Sequence, residues 1–306
     1  MLTYFTLTSY LSVGRPLDMF DTIARDLAHA LRSLLKDRGF TLICVTSLGI
    51  GIGAMVALTT FTRAIGAPAH GINTDGLAEV LVLPQGPLRL KAGVWALEQW
   101  SYPDFQALRD ADTGLDLTGW VQESNVFGEP DPERAGSPRV SVLYVSANYF
   151  RTFGVSLARG AGFDLVADDK PSGEARVVVS HDFWKSRMNA DPDVVGKALP
   201  VNGIPHTVVG LTPENFRGHF HFFQAPASML FIPLERHPRL RDNASARDDR
   251  TVDWIRIYGR LNPGVDIRRA NALVTTAAAG LAGRYPATNA FKSATVEQYA
   301  SMGAAE

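Results

Sequence analysis

Residues 39–65 read GFTLICVTSLGIGIGAMVALTTFTRAI, and across residues 40–62 no side chain carries a charge. A helix rises 1.5 Å per residue, so about 20 apolar residues cross the hydrocarbon layer of a bilayer. A soluble core helix seldom stays uncharged for so long. A cleavable signal peptide has a shorter apolar region, of about 7–15 residues, closer to the N-terminus and followed by a small-residue cleavage site. Here 39 residues precede the run. The stretch therefore reads as a retained transmembrane helix over residues 39–65, in contact with membrane lipids.

The flanks set an orientation. Arg25, Arg32, Lys36 and Arg38 precede the run within one short segment. Short positive flanks stay in the cytoplasm. The N-terminus is thus predicted inside, and everything after Arg63 outside, in the periplasm of a double-membrane bacterium. Within the run, Gly49 and Gly53 form a GxxxG pair, and Ser47 and Gly51 a second small-xxx-small pair. That spacing predicts a close helix–helix contact in lipid. The string GIGIG is no phosphate loop, because it lacks the Lys-Ser/Thr of a nucleotide site and no strand precedes it. Cys44, the single cysteine, lies in the same run, so no disulfide forms within the chain and a packing role is expected.

Upstream, DMFDTIARDLAHALRSLLKDRGF places Ile23, Leu27, Ala30, Leu31, Leu34 and Leu35 at helical spacing. Arg25, Asp26, Arg32 and Lys36 take the other face. Residues 18–38 are predicted as an amphipathic helix lying along the membrane or on a cytoplasmic partner. Residues 1–17 are predicted to be poorly ordered, and residues 301–306 to form a C-terminal tail.

Residues 66–300 read as one α+β domain with an ordinary composition; the whole chain is 46% hydrophobic and 20% charged. The net charge of −1 gives no basic field for nucleic acid. Strands are expected at 77–83, in RVSVLYVS, in ARVVVS and in WIRIYGRLNPG. Helices are expected in SYPDFQALRDAD (capped by Ser101), ANYFRTFGV, HDFWKSRM, and DIRRANALVTTAAAGLAGRYP (capped by Asp266 and ended by Pro286). KALPVNGIPHTVVGLTP is the best local signal, two apolar runs around an Asn202-Gly203 type I′ turn. This order suggests split βαβ units on a mixed sheet with a smaller β-rich part inserted. The charge-dense residues 236–252 are expected to form a flexible loop at a tip.

Several phrases then fall into place together. DLAHALRSLLKDRGFTLICVTSLGIGIGAMVAL resembles the opening of MacB-type and FtsX-like ABC transporter permeases, above all the large duplicated permeases of acidobacterial type. VSANYFRTFGV, RVVVSHDFWKSRMNADPDVVGKALPVNGIPHTVVGLTPENF and GRLNPGVDIRRANALV resemble, in order, motifs of that family's periplasmic core domain. The resemblance covers residues 22–300. It implies a first transmembrane helix followed by a periplasmic domain with a porter-like split βαβ part and a smaller β-rich part. Three more transmembrane helices follow in the family. It implies a dimer or paired permease, a separate or fused cytoplasmic ABC ATPase that binds the ATP, and a periplasmic adaptor. No cofactor is expected on this chain itself. TRAIGAPAHGINTDGL matches the family's Pro-rich linker weakly, and the sequence reaches Glu306 without the family's later helices. A fragment or truncated product of such a permease, or a stand-alone remnant, is expected, and the N-terminal part of a permease is the reading adopted. One helix alone encloses no transport path.

No catalytic constellation emerges. There is no G-x-S-x-G elbow and no HExxH. Ser180, His181 and Asp182 are adjacent and face different ways, which is wrong for a triad. His219 and His221 in GHFHFF would share one face of a strand. A catalytic zinc needs a third protein ligand, and neither His206 nor His181 is marked as one. An aromatic loop packed on a surface is the competing reading. Asp168-Asp169 and Asp248-Asp249 are expected to be solvated, and Phe150, Phe183 and Trp184 to be core. The expected function is a non-enzymatic permease part whose periplasmic domain transmits ATP-driven motion for export. The alternatives are a stand-alone membrane-anchored periplasmic interaction module and a periplasmic metal-dependent enzyme.

Overall fold

The apolar run is one helix, α1 (Arg38–Gly66), followed by a ten-stranded mixed sheet with helices packed on it. The computed structural model describes residues 36, 38–66, 71–86, 99–128, 138–171, 173–219 and 229–299. The expected amphipathic helix (18–38) lies almost wholly outside the described residues, and the N-terminal (1–17) and C-terminal (301–306) segments entirely so. The chain divides into two compact units, Met1–Thr62 and Arg63–Glu306.

The first unit is described through α1. Its large side chains stand exposed on every side. Thr46 and Thr59 return their hydroxyls to the helix's own carbonyls, at Leu42 (2.6 Å) and Met55 (2.9 Å). Polar groups satisfied in this way can sit in an apolar solvent.

In the second unit, four strands carry a split βαβ arrangement. They are β1 (Leu77–Pro84), β2 (Leu115–Val126), β9 (Arg256–Leu261) and β10 (Lys292–Gln298), in the spatial order β10-β1-β9-β2, all antiparallel. Helix α2 (Tyr102–Asp110) joins β1 to β2, and α6 (Ile267–Arg284) joins β9 to β10. This is the ferredoxin-like βαβ-βαβ pattern. Ser101 caps α2 and Asp266 caps α6 with their side-chain oxygens, as their positions in the sequence predict.

The inserted part lies between β2 and β9 in the chain. It holds β3 (Arg139–Val145), α3 (Tyr149–Thr152), β4 (Arg159–Gly160), β5 (Arg176–Val179), α4 (His181–Arg187), β6 (Ala198–Val201), β7 (Ile204–Leu211), β8 (Met229–Pro233) and α5 (Pro238–Arg241). It continues the same sheet as β3-β8-β5-β7-β4, with β6 paired to β7. Asn202 and Gly203 both have positive φ (48° and 74°), which is the backbone of the expected type I′ turn. A short helix α7 (Pro286–Asn289) follows α6.

Two faces of the sheet are filled differently. One carries α2, α6 and α4 over aliphatic strand residues such as Val80, Leu117, Ile257 and Val296. The other carries an aromatic cluster: Trp120, Tyr149, Phe150, Phe153, Phe216, Phe231, Tyr258 and Tyr299.

The structure corrects three expectations. Strands β2, β4, β8 and β10 escaped the sequence reading; β10 (KSATVEQ) is mostly polar, and only Ala294 and Val296 turn inward. Residues 236–252 are not a loose tip: they hold α5 and a 3-10 turn (Ala244–Arg247), and His237, Leu240 and Ala246 are buried. Asp168 is not solvated; its carboxylate is fully buried against Arg176 at 3.3 Å.

Candidate functional site

Two features bear on function: the apolar helix, and the seam where the split βαβ part meets the inserted part.

The span-like stretch of α1 is Arg38–Thr60, 23 residues with none of its window buried. At 1.5 Å per residue it reaches about 35 Å, enough for a hydrocarbon core of about 30 Å. Gly49, Gly51 and Gly53 are exposed, and a methyl group built on any of them meets nothing within 4 Å. At 100° per residue, the Gly49–Gly53 pair lies about 200° around the helix from the Ser47–Gly51 pair. The four small residues thus mark two opposite faces.

The seam is made by β2, a 12-residue strand that serves both parts. Residues 115–120 pair with β9, and residues 120–126 pair with β3. Trp120 stands in both ladders, opposite Arg256 and Val145. Its ring meets the buried His219 ring edge-on, with centroids 4.1 Å apart. His219 Nδ1 is 2.7 Å from the Tyr149 hydroxyl, and Phe153 stacks on the imidazole at 5.2 Å. The Tyr299 hydroxyl donates to the His219 carbonyl at 3.0 Å. Burial holds the Tyr149 phenol well above its ordinary pKa, so it stays protonated. His219 is therefore a packed residue of a buried aromatic cluster. His221 lies outside the described residues. Among the described residues, no three His, Cys, Asp or Glu side chains converge on a metal-sized point.

Charged ties cross the same seam. Arg109 at the end of α2 pairs with Asp169 of the inserted part at 2.7 Å, and Asp169 also accepts from the Ala147 amide. Asp116 on β2 accepts from Arg151 Nε and Nη2 and from Asn148 Nδ2 at 2.9 Å. Deeper ties fix the 236–252 segment to α2. The fully buried Asp104 pairs with Arg250, and Glu235 pairs with Arg247 at 2.5 Å and accepts from the Tyr102 hydroxyl. Burial, aided by Glu235, raises the Tyr102 pKa far above its usual range. Asp253 is raised by burial although Lys292 lies 2.6 Å away. No sequence signal announced these pairs: Asp104 and Arg250 are 146 residues apart, and Arg109 and Asp169 are 60.

Open clefts among the described residues of the second unit include two at its surface. One of about 480 Å³ lies between residues 248–251 and 284–288; one of about 280 Å³ lies beside Phe150, Arg151 and Phe163. Ser180 Oγ accepts from the Phe183 amide as the cap of α4, at 3.3 Å, and from the Met229 amide at 2.9 Å.

The chain belongs to the family of the MacB-like periplasmic core domain, whose profile matches residues 41–277. It is 26% identical over 196 residues to the export ATP-binding/permease protein MacB of Pseudomonas entomophila (strain L48). That match covers 60% of this chain and 26% of the relative, so the chain spans about a quarter of that protein's length. Among solved structures it is similar to a domain described as part of a permease protein from Porphyromonas gingivalis, with TM-score 0.50 and 15% identity over 74% of this chain and 90% of that one. The periplasmic region of MacB from Actinobacillus actinomycetemcomitans gives TM-score 0.48 and 12% identity over the same shares. At 15% identity the first of these likenesses concerns the fold alone.

Proposed function

We propose that this chain is the N-terminal part of an ABC transporter permease subunit, acting without catalysis of its own. Its second unit, outside the cytoplasm, passes ATP-driven helix motion to a periplasmic adaptor or to the exported molecule. The observation that carries this reading is the extent of the family match. It begins inside α1 and runs into α6, so helix and domain belong to one family unit. The basic flank at Arg25, Arg32, Lys36 and Arg38 supports a cytoplasmic N-terminus. ATP is bound by a cytoplasmic ABC ATPase, and Gly49–Gly53 packs against another membrane helix, of this permease or of a second copy.

The test is co-purification in mild detergent. The permease that begins with this chain should bring an ABC ATPase with it in stoichiometric amount. A cysteine placed at the exposed Ser156, in a Cys44→Ser background, should react with an impermeant maleimide from the periplasmic side. A chain that leaves the membrane without an ATPase overturns the reading and leaves a single-pass interaction module.

A further inference from the structure

Arg260 makes an unusual set of bonds. It sits in β9, and among the described residues its guanidinium donates to three backbone carbonyls and to no carboxylate. Nε reaches Thr152 O at 2.8 Å, Nη2 reaches Asn73 O at 2.7 Å, and Nη1 reaches Asp75 O. Thr152 closes α3 in the inserted part. Asn73 and Asp75 belong to residues 71–76, the first described segment after α1. A planar guanidinium with five fixed donors, its three nitrogens given to carbonyls on two separate segments, holds geometry here.

The contacts around it converge on the same segment. The Asn73 amide donates to Phe153 O at 2.9 Å. Gly154, at φ +65°, lets the chain pass: a Cβ there would lie 2.8 Å from Asn73 Cβ. The Leu261 amide donates to Gly76 O at 2.8 Å. The far end of the sheet comes back to this place, where the Tyr299 amide donates to Leu77 O at 2.8 Å.

We infer that Arg260 is a positioning residue for transmission. It binds the lead-in segment 71–76, β9 of the split βαβ part and α3 of the inserted part into a single rigid piece, so that a displacement arriving along the chain from α1 reaches both parts together. The use made of that rigidity rests on the transporter reading above; the rigidity itself does not.

The experiment places spin labels at Asp75→Cys and Ser156→Cys in the full chain, with Cys44→Ser. The unaltered tie should give a narrow distance distribution. Arg260→Lys keeps the charge but cannot serve three carbonyls, and should broaden the distribution about twofold. Arg151→Lys, at the same helix but bound to Asp116, should leave the width unchanged. Equal widths in the parent, Arg260→Lys and Arg260→Met would overturn the inference. In the assembled transporter, Arg260→Lys should keep ATP turnover while export falls about tenfold, a coupling loss rather than a folding loss. A parallel fall in turnover, export and folded protein makes Arg260 merely structural and overturns the transmission role. If no ATPase associates with the parent, the transporter reading has failed, and the label widths still decide whether Arg260 holds the segment.

Discussion

Helices α1 and α6 are both long and rich in aliphatic side chains, and they treat them in opposite ways. In α6 a single stripe, Ala270, Val274, Ala278 and Leu281, is buried against the sheet, while Arg268 and Arg284 face water. In α1 the large side chains from Phe40 to Leu58 are between 56% and 73% exposed, with no buried stripe at all. Periodicity separates the two. A helix that alternates apolar and polar residues at a period of 3.6 has one water-facing side; one without any period needs an apolar solvent all round.

The comparison is broken most severely by putting a charge into each helix. Val274 is fully buried. Val274→Asp leaves an unpaired carboxylate in the core and should cost more than about 4 kcal/mol, enough to prevent the domain from folding. Ile50→Asp should leave the domain's thermal unfolding untouched and instead oppose membrane insertion by about 2.5–3.5 kcal/mol. Fractionation and a melting curve on both variants separate these outcomes. A domain that unfolds in Ile50→Asp would show that α1 packs on it.

Asp104 sharpens the contrast, because it is a charge the domain does bury. It is tolerated through Arg250, whose guanidinium also lies over the Tyr285 ring at 3.8 Å. Asp104→Ala strands that cation and should cost about 3–5 kcal/mol in chemical denaturation. Adding Arg250→Met should recover much of the loss. A double variant no better than the single one would mean that the pair does not act as a unit.

This pair also marks what the sequence could show. α1, α2 and α6 were legible because caps and periodicity are local: Ser101, Asp266 and the uncharged run each act within a few residues. The Asn202-Gly203 turn was legible for the same reason. β10 was not, since a strand on an edge of the sheet, with one face under α6, needs only Ala294 and Val296 to be apolar. The segment 236–252 looked like solvent loop because of its charges, yet Glu235, Arg247 and Arg250 find partners on α2, more than 130 residues earlier. In the site, the Gly49–Gly53 spacing could be read, whereas Trp120 and Arg260 gain their positions only when β2 and β9 pair.

A buried group that can change its charge lies between these cases. His206, inside β7, is buried, and burial depresses its pKa below the ordinary histidine value of 6.5, with Arg241 and Arg236 adding to the effect. Its Nδ1 bonds the Ile204 carbonyl at 2.8 Å. The folded state thus binds the proton less readily than the unfolded chain. Stability should be complete above the ordinary value and fall as pH drops through it toward the lower folded pKa. Thermal unfolding at pH 7.5 and 5.5 should show this loss, and His206→Gln should flatten it. An equal loss in both proteins would assign the acid sensitivity elsewhere.

The smallest expected effect belongs to the apolar helix, where nothing is buried within the chain itself. Gly49→Leu with Gly53→Leu fills one face of α1; Ser47→Leu with Gly51→Leu fills the opposite one. Both pairs lie in the first unit, so the domain's melting temperature should stay the same in both. If α1 has a packed neighbour on the Gly49–Gly53 face, only the first pair should weaken association in detergent or bilayer. Crosslinking or energy transfer between labelled helices reads this directly. Equal weakening by both pairs would place α1 between two neighbours, and no effect from either would leave the glycines as ordinary residents of a membrane helix. The distinction follows from the geometry: two small pairs on opposite faces cannot serve one close contact, so the pair that matters identifies the side from which the partner helix approaches.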